Sequence, residues 1–323
     1  MDDKLKFALR NILQKNTKLI LCQYNLKELI YLNRHLLTKN NVYSGPGLSF
    51  ITTQSNNSTY FFELYTNIKI VKDLNNIKDI SISNTNTLLL SNKCTIYRSY
   101  GMRTCLVPIR NNIFKNIVAL SSNGSTSLLL TSRGEVYSIK GEIVECDNSD
   151  NYLIPNIDNI RQIDVCSTYA LLLNNKGKLY LYSLKNDISK LTDPILINKE
   201  INIISITCGD YYSLCLSNKG DVYEFDPKTL NLIKTKLKNI VQISSKGLYV
   251  LSLTNNGQIY GYGMIKLHDK LLSEPRLIKI PHKIMKISSN ISLALLLSSD
   301  DKVYALDMNC KLKLIMDIKN FSK

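Results

Sequence analysis

The sequence has no cysteine pair, histidine cluster or long apolar run of the kind that marks a zinc, redox or membrane protein. Its 323 residues include eight cysteines, none in a Cys-x-x-Cys pair, and three widely separated histidines, His35, His268 and His282. This spacing matches no zinc-site pattern, and scattered cysteines are typical of reduced thiols inside the cell. No stretch reaches the roughly 18 uninterrupted apolar residues of a membrane helix. We expect no metal and no membrane partner.

Motifs of common catalytic and cofactor sites are also missing. The chain has no Gly-x-Gly-x-x-Gly, phosphate loop, Gly-x-Ser-x-Gly or His-Glu-x-x-His sequence. The first residues, Met1-Asp2-Asp3-Lys4, lack the basic start and apolar run of a secretory signal. We therefore expect a non-catalytic protein without a cofactor, which is not secreted and resides in the cytoplasm or nucleus.

Positive charge is in excess, since 41 Lys and Arg face 26 Asp and Glu for a formal net charge of +15. Such a field attracts nucleic acid, an anionic membrane surface or an acidic protein. A lysine-rich solvated surface explains the same composition, and no dense cluster of basic residues decides between these interpretations.

An internal repeat organises most of the chain. Six segments share one template, and successive closing tyrosines are 40, 43, 43, 37 and 44 residues apart. The segments are Asn75–Tyr97, Asn116–Tyr137, Asn159–Tyr180, Asn202–Tyr223, Asn239–Tyr260 and Lys283–Tyr304. Each has leucine nine and seven residues before the tyrosine and an aliphatic residue directly before it. This period is that of a four-stranded propeller blade.

One repeat unit has the pattern of a hairpin. The two leucines are two residues apart, so they point to the same face of a strand. A polar residue and a tight turn follow, for example Asn218-Lys219-Gly220, in which glycine supplies positive φ. The returning strand carries the aliphatic–tyrosine pair, and a short strand such as Ile203–Ile206 precedes each hairpin.

These patterns predict an all-β fold, a seven-bladed β-propeller with a short N-terminal helical segment. A degenerate seventh copy is visible at Val42–Glu63, and seven units close a ring that has no free sheet edges. Residues 1–40 form the predicted helical cap or edge segment, and residues 41–323 form the propeller. An alternating strand over Lys311–Met316 is a candidate for closing the ring against the first blade.

One repeat carries a more specific signal. The segment Ile206–Tyr223 has an aliphatic residue, a Cys208-Gly209 pair, a small loop, an alternating apolar strand and a glycine-turned hairpin. It resembles the core signature of the regulator of chromosome condensation family. The histidine that the family places 11 residues before the closing aromatic is Tyr212 here, and the family's glycine-rich Asn-x-x-Gly-Gln-Leu-Gly motif is missing throughout. The chain thus resembles a divergent member.

The resemblance implies a role in binding other proteins. Members of the family act as guanine-nucleotide exchange factors for a Ran-type GTPase, bind histones and DNA, or serve as interaction modules. The partner-binding face of the exchange factors includes the loop after Cys-Gly, which corresponds here to Asp210, Tyr211 and Tyr212. An acidic residue in that loop suits a basic patch on a partner. The alternative is that Asp210 caps its own turn.

A long connector, Gly141–Asn159, is the second candidate contact. It carries Glu142, Glu145, Asp147 and Asp150 within a basic protein, and it is long enough to project from the ring. It is interpreted either as a partner-contacting loop or as a solvated connector.

The sequence therefore predicts a monomeric protein-interaction propeller, a scaffold or adaptor that binds a protein partner through one loop face. The alternatives are an exchange factor or regulator of a Ran-type small GTPase, and a chromatin or nucleic-acid binder that uses its basic surface. The partner itself, including a small GTPase or a chromatin component, is not identified by the residues.

Overall fold

The fold is seen in a computed structural model. It describes residues 41–44, 48–52, 59–63, 69–70, 77–83, 86–91, 93–100, 107–108, 114, 116–123, 126–140, 153–184, 193–198, 200–289 and 293–318. The predicted N-terminal helical segment, residues 1–40, lies outside this part of the chain. Within these residues, no helix has the length and apolar character that crossing a membrane requires.

The described residues form antiparallel sheets whose strands follow one another in chain order. The first strand of each sheet lies at the centre of the ring, and these strands are β1 (Asn41–Ser44), β5 (Ile77–Ile82), β9 (Ile117–Asn123), β12 (Ile160–Val165), β16 (Ile203–Cys208), β20 (Ile240–Ser245) and β24 (Ile284–Ser289). The second strands are β2 (Leu48–Thr52), β6 (Asn86–Ser91), β10 (Thr126–Thr131), β13 (Tyr169–Asn174), β17 (Ser213–Ser217), β21 (Tyr249–Thr254) and β25 (Leu293–Ser298).

The outer half of each sheet is less uniform. The third strands are β3 (Thr59–Glu63), β7 (Ile96–Tyr100), β11 (Val136–Lys140), β14 (Leu179–Ser183), β18 (Val222–Asp226), β22 (Ile259–Leu267) and β26 (Lys302–Asp307). The fourth strands are β4 (Lys69–Ile70), β8 (Val107–Pro108), β15 (Ile195–Leu196), β19 (Asn231–Lys234), β23 (Lys270–Ile278) and β27 (Leu312–Asp317). Fourth strands therefore range from two residues to nine.

The prediction of a seven-bladed propeller with a short N-terminal helical segment is wrong. The described residues form six complete four-stranded blades, not seven, and contain no α-helix; the sheet of β9, β10 and β11 has three strands. Where its fourth strand was expected, Leu153 makes a single bridge to Tyr137, and the Ile154 N–H donates to the Val136 carbonyl at 2.8 Å.

The repeated leucines form the core, as predicted. All twelve are at most 1% exposed: Leu88, Leu90, Leu128, Leu130, Leu171, Leu173, Leu214, Leu216, Leu251, Leu253, Leu295 and Leu297. The residue between each pair is buried as well: Leu89, Leu129, Leu172, Cys215, Ser252 and Leu296. Both faces of the second strand are therefore covered in these six repeats, because each of their sheets is packed between two neighbours.

The polar residue after the leucines has a defined task. In all six repeats it ends the second strand and accepts a hydrogen bond from the backbone N–H four residues later. The pairs are Ser91 and Thr95, Thr131 and Glu135, Asn174 and Lys178, Ser217 and Asp221, Thr254 and Gln258, and Ser298 and Lys302, at 2.9–3.2 Å. Each turn also contains one residue at positive φ: Cys94, Gly134, Gly177, Gly220, Gly257 or Asp301.

Hydrogen bonds from side chain to backbone join the central strands of neighbouring sheets. A polar side chain 16 residues before the closing tyrosine accepts from a backbone N–H of the next central strand. We call this set the inner belt: Ser81 accepts from Ser122 (2.8 Å), Ser121 from Val165 (3.0 Å), Asp164 from Cys208 (2.8 Å), Thr207 from Ser245 (3.0 Å) and Ser244 from Ser289 (2.9 Å). The central strands therefore run in the same direction around the ring.

The ring closes through packing of the first sheet on the last. Strand β1 contacts β24 and β25, and the buried Val42 lies in one cluster with Leu293, Leu295 and Met316. The strand expected to close the ring, β27, instead pairs with β26 as the outer strand of the last sheet. Val42 thus supplies an apolar contact between the first and the last sheet.

The inner belt makes a testable contribution to stability. Thr207→Val keeps the shape of the side chain but leaves the N–H of the fully buried Ser245 without its acceptor. We expect the free energy of unfolding to fall by about 1–3 kcal/mol, measured by urea denaturation. Thr229→Val is the control, because Thr229 is exposed and its hydroxyl donates to the carboxylate of Asp226 in a solvent-exposed turn. Equal losses in both variants would contradict the role of the belt.

Candidate partner-binding face

The strand directions divide the connections between two faces of the ring. Loops from the first to the second strand, and turns from the third to the fourth, lie on one side, which we call the loop face. Hairpin turns from the second to the third strand lie on the other side, which we call the turn face. The loop Gly209–Tyr212 follows the central strand β16 and so belongs to the loop face.

The loop Gly209–Tyr212 is held in one shape by its own backbone and by the next blade. The Gly209 N–H donates to the Tyr212 carbonyl at 2.9 Å, and the Ser245 hydroxyl donates to the same carbonyl at 2.6 Å. A Cβ on Gly209 would lie 2.6 Å from the Ser245 hydroxyl oxygen. The glycine of the Cys-Gly pair is therefore needed for close approach of the neighbouring blade.

Two tyrosines of this loop have different surroundings. The Tyr211 side chain is 74% exposed. Tyr212 is half-buried, and its ring meets Tyr262 edge to face with centroids 5.4 Å apart. The Tyr262 hydroxyl donates to the Glu224 carboxylate at 3.3 Å. Tyr212 thus anchors the loop, and Tyr211 is presented to solvent beside the exposed Asp210.

Burial and charge keep these anchoring tyrosines neutral. Burial, and secondly the negative charge of Glu224, raises the pKa of both Tyr212 and Tyr262. Burial also raises the pKa of Glu224, although the hydrogen bond from Tyr262 opposes that shift. Tyr212 and Tyr262 therefore contribute to this cluster as neutral packing and hydrogen-bonding groups.

The longest hairpin of the described chain stands beside this loop. Strands β22 and β23 have nine residues each, and their register shifts around Gly263, whose φ is 99°. A Cβ on Gly263 would lie 2.6 Å from the Leu248 carbonyl and 3.1 Å from the Tyr212 ring. Next to this contact, Met264 is 48% exposed and Leu271 is 55% exposed. Tyr211, Met264 and Leu271 are therefore exposed large hydrophobic side chains on two loop-face segments that approach each other at Tyr212 and Gly263.

The central channel opens into a polar cavity of about 310 Å³, lined by residues of the central strands. Asp164 is its most connected group: it accepts from the Ser121 hydroxyl (3.0 Å), from the Cys208 N–H (2.8 Å) and from the Lys246 ammonium (3.3 Å). Burial by itself lowers the pKa of Lys246, but the charge and hydrogen bond of Asp164, together with the neighbouring Cys208 and Cys166, raise it overall. The pair joins blades that are two positions apart in the ring.

The described residues show no arrangement of three histidine, cysteine or acidic side chains that would hold a metal ion. The cysteines among them, Cys94, Cys166, Cys208, Cys215 and Cys310, are free thiols. Burial raises the pKa of Cys166, Cys208 and Cys215, which keeps these thiols protonated and unreactive.

At the level of sequence, no family model and no curated protein matches the chain. In fold, it is similar to human WBSCR16, with a TM-score of 0.62 and 13% identity over 80% of this chain and 86% of that one. It is also similar to yeast RCC1 (Prp20) bound to Kap60, with a TM-score of 0.61 and 13% identity over 75% and 73% of the two chains. Saccharomyces cerevisiae Prp20p, described with its binding to Gsp1p and histones, matches with a TM-score of 0.61 and 13% identity over 78% and 81%.

The fold is thus a propeller with neighbours of the regulator of chromosome condensation type, as the repeat signature suggested. At this identity the likeness concerns the fold alone. The structure places Asp210, Tyr211 and Tyr212 in one rigid loop. Glu142, Glu145, Asp147 and Asp150 lie outside the described residues, so their contact role stays a prediction.

The residues that hold the loop Gly209–Tyr212 in place were not predicted from the sequence. Glu224, Tyr262 and Gly263 come from two other strands, and no spacing in the chain links them to Tyr212. One signal was available: Gly261-Tyr262-Gly263 places two glycines inside a strand, a pattern that marks a bulge or a close backbone approach.

The channel predicts a pH effect on stability. Asp79 accepts from the Leu120 N–H at 2.8 Å and from the Ile80 N–H at 3.0 Å. Burial nonetheless raises the pKa of Asp79 from 3.8 to about 6. A raised pKa of an acid favours folding below the unfolded-state value, and this contribution is lost as pH rises through the folded-state value. We expect urea midpoints of the wild type, relative to Asp79→Asn, to fall as pH rises from about 4 to about 7; parallel profiles would contradict this.

Proposed function

We propose that the protein is a non-catalytic, intracellular adaptor that binds a protein partner through its loop face. One observation carries the proposal: Tyr211 is 74% exposed at the tip of a loop that two blades hold rigid. Tyrosine is enriched among residues that dominate binding energy, because it offers a large area and a polar tip at low entropic cost. A rigid loop also avoids the cost of ordering on association.

The neighbouring hairpin supplies the rest of the surface. Met264 and Leu271 add exposed apolar area beside the contact of Gly263 with Tyr212. Asp210 adds a negative charge next to Tyr211 in a chain whose net charge is +15. An aromatic anchor with apolar neighbours and one acidic group suits a partner that presents an apolar pocket with a basic rim.

The proposal is tested by affinity capture with two matched triple variants. We expect Tyr211→Ser/Met264→Ser/Leu271→Ser to lose the partners that the wild type retains. The control, Ile195→Ser/Ile233→Ser/Leu314→Ser, removes exposed apolar residues of the outer strands and should keep them. The readout is mass spectrometry of the captured proteins. Partners that survive the loop-face variant, or that disappear from both, would refute the proposal.

A second candidate is regulation of a Ran-type GTPase. It is supported by the likeness in fold to Prp20p, which is described with its binding to Gsp1p, and by the exposed Asp210 in the loop that resembles the family's partner-binding loop. An exchange factor needs no reaction chemistry, since it acts by stabilising the nucleotide-free GTPase through differential binding.

We expect no exchange activity, because the family's histidines and glycine-rich motif are missing from the sequence. The measurement is release of a fluorescent nucleotide from purified Ran-type GTPase. Release faster by about tenfold, and reduced again by Asp210→Asn but not by Asp193→Asn, would favour the GTPase role over the adaptor role. Asp193 is a fitting control because it is also exposed but lies in a different blade.

A further inference from the structure

The hairpin turns on the turn face share a pattern of charge that is not part of the repeat template. The residue directly before the positive-φ position is basic in four consecutive sheets. These residues are Lys93, Arg133, Lys176 and Lys219, and all four are exposed. In the next two blades the same position holds Asn256 and Asp300. We call the four cations the basic arc.

From Arg133 to Lys219, neighbouring turns of the basic arc are bonded to one another through the strand entries between them. The Gly134 carbonyl accepts from the Ile160 N–H at 3.1 Å, and the Asn159 carbonyl accepts from the Asn175 N–H at 2.9 Å. These two bonds place the turn of Arg133 beside the turn of Lys176.

The same pair of bonds recurs one blade further on. The Gly177 carbonyl accepts from the Ile203 N–H at 3.4 Å, and the Asn202 carbonyl accepts from the Asn218 N–H at 3.1 Å. The turn of Lys176 therefore lies beside the turn of Lys219. Both bonds belong to the backbone, so the spacing of the cations is fixed by the fold.

The charge around this face is ordered rather than uniform. Hydrogen bonds from the Ser298 hydroxyl and from Lys302 hold the pKa of Asp300 at about 2, so the last turn is anionic at neutral pH. The entries beside the turns carry both signs, as in Asp158, Glu200 and Lys238. The turn tips, in contrast, are basic in four consecutive sheets and acidic in the last sheet.

We propose that the basic arc binds an extended acidic segment of a protein partner. Charge complementarity selects an anion. The described residues at the four turns of the basic arc are serine, asparagine, arginine, lysine, glycine and cysteine, so bases of a single-stranded nucleic acid find no aromatic ring there to stack on. A polyanion that followed the ring further would meet Asp300, whereas a short acidic segment ends before it. The site is on the opposite face from the loop Gly209–Tyr212 and does not rest on the adaptor proposal.

Exposed ion pairs are weak one by one, so binding depends on several in a row and is sensitive to salt. The probe is a short fluorescein-labelled peptide of alternating glutamate and serine, read by fluorescence anisotropy at low and physiological salt. The same peptide with glutamine for glutamate, and duplex DNA, are run in parallel. We expect the glutamate peptide alone to bind well at low salt.

Two quadruple variants make the test specific. Lys93→Ser/Arg133→Ser/Lys176→Ser/Lys219→Ser removes the basic arc. The control, Lys228→Ser/Lys270→Ser/Lys311→Ser/Lys313→Ser, removes four exposed lysines from the loop face and an outer strand and makes the same change in net charge. We expect the arc variant to bind the peptide at least about tenfold more weakly, and the control to change less than about twofold.

Circular dichroism and urea midpoints establish that the variants are folded. If the quadruple variant of the basic arc is not folded, the double variant Lys176→Glu/Lys219→Glu takes its place. We expect this double variant to weaken peptide binding in the same way. Equal losses in arc and control variants, or no binding of the glutamate peptide at low salt, would overturn the proposal. Duplex DNA that binds more tightly than the peptide and depends on the same four residues would overturn it in favour of nucleic acid.

Discussion

The central strands determine how this ring holds together. Each one pairs with its second strand along one edge, and the other edge faces the channel, where backbone N–H groups need acceptors. The inner belt supplies them from the preceding sheet: the Thr207 hydroxyl serves Ser245, and the Asp164 carboxylate serves Cys208. A second set two residues earlier does the same, as when Gln162 exchanges two hydrogen bonds with Ile206. The sheets are therefore joined by polar side chains at the centre and by apolar packing further out.

The second strands show why that outer packing is specific. A strand with one buried face alternates apolar and polar residues, but β10, β21 and β25 are buried at every position. Leucine fits this position in the repeat because it fills the space between two sheets from either face. The closing tyrosines mark the edge of this core: five are half-buried, while Tyr304 is buried and stacks on His282 with centroids 4.5 Å apart.

How much of this was predictable depended on the range of the interactions. The leucine pairs, the hairpin turns and the strand order follow from contacts within one repeat, and the structure confirms them. The fourth strand that the period predicts after β11 is not seen, because among the described residues only Leu153 and Ile154 pair with β11. The repeat template correctly placed Asp210, Tyr211 and Tyr212 in one loop.

Interactions between repeats were much harder to predict. Serine, threonine or aspartate in a central strand has the appearance of an ordinary solvent-facing position. Its use becomes evident only when the next blade is beside it, as with Ser121 and Val165. The anchoring of Tyr212 by Tyr262 likewise joins two blades and has no signature in either one alone. The repeat pattern reflects contacts within one blade, whereas the candidate site depends on contacts between blades.

The contact between Gly209 and Ser245 has a consequence for how such a chain can change over time. Because the Ser245 hydroxyl of the following blade fixes the loop, the shape of that loop depends on two adjacent blades and not on one blade alone. Duplicating or exchanging the single blade that contains Gly209 would move the amino acids of the loop without the partner that shapes them. New binding surfaces on this fold are therefore expected to be inherited in adjacent pairs of blades.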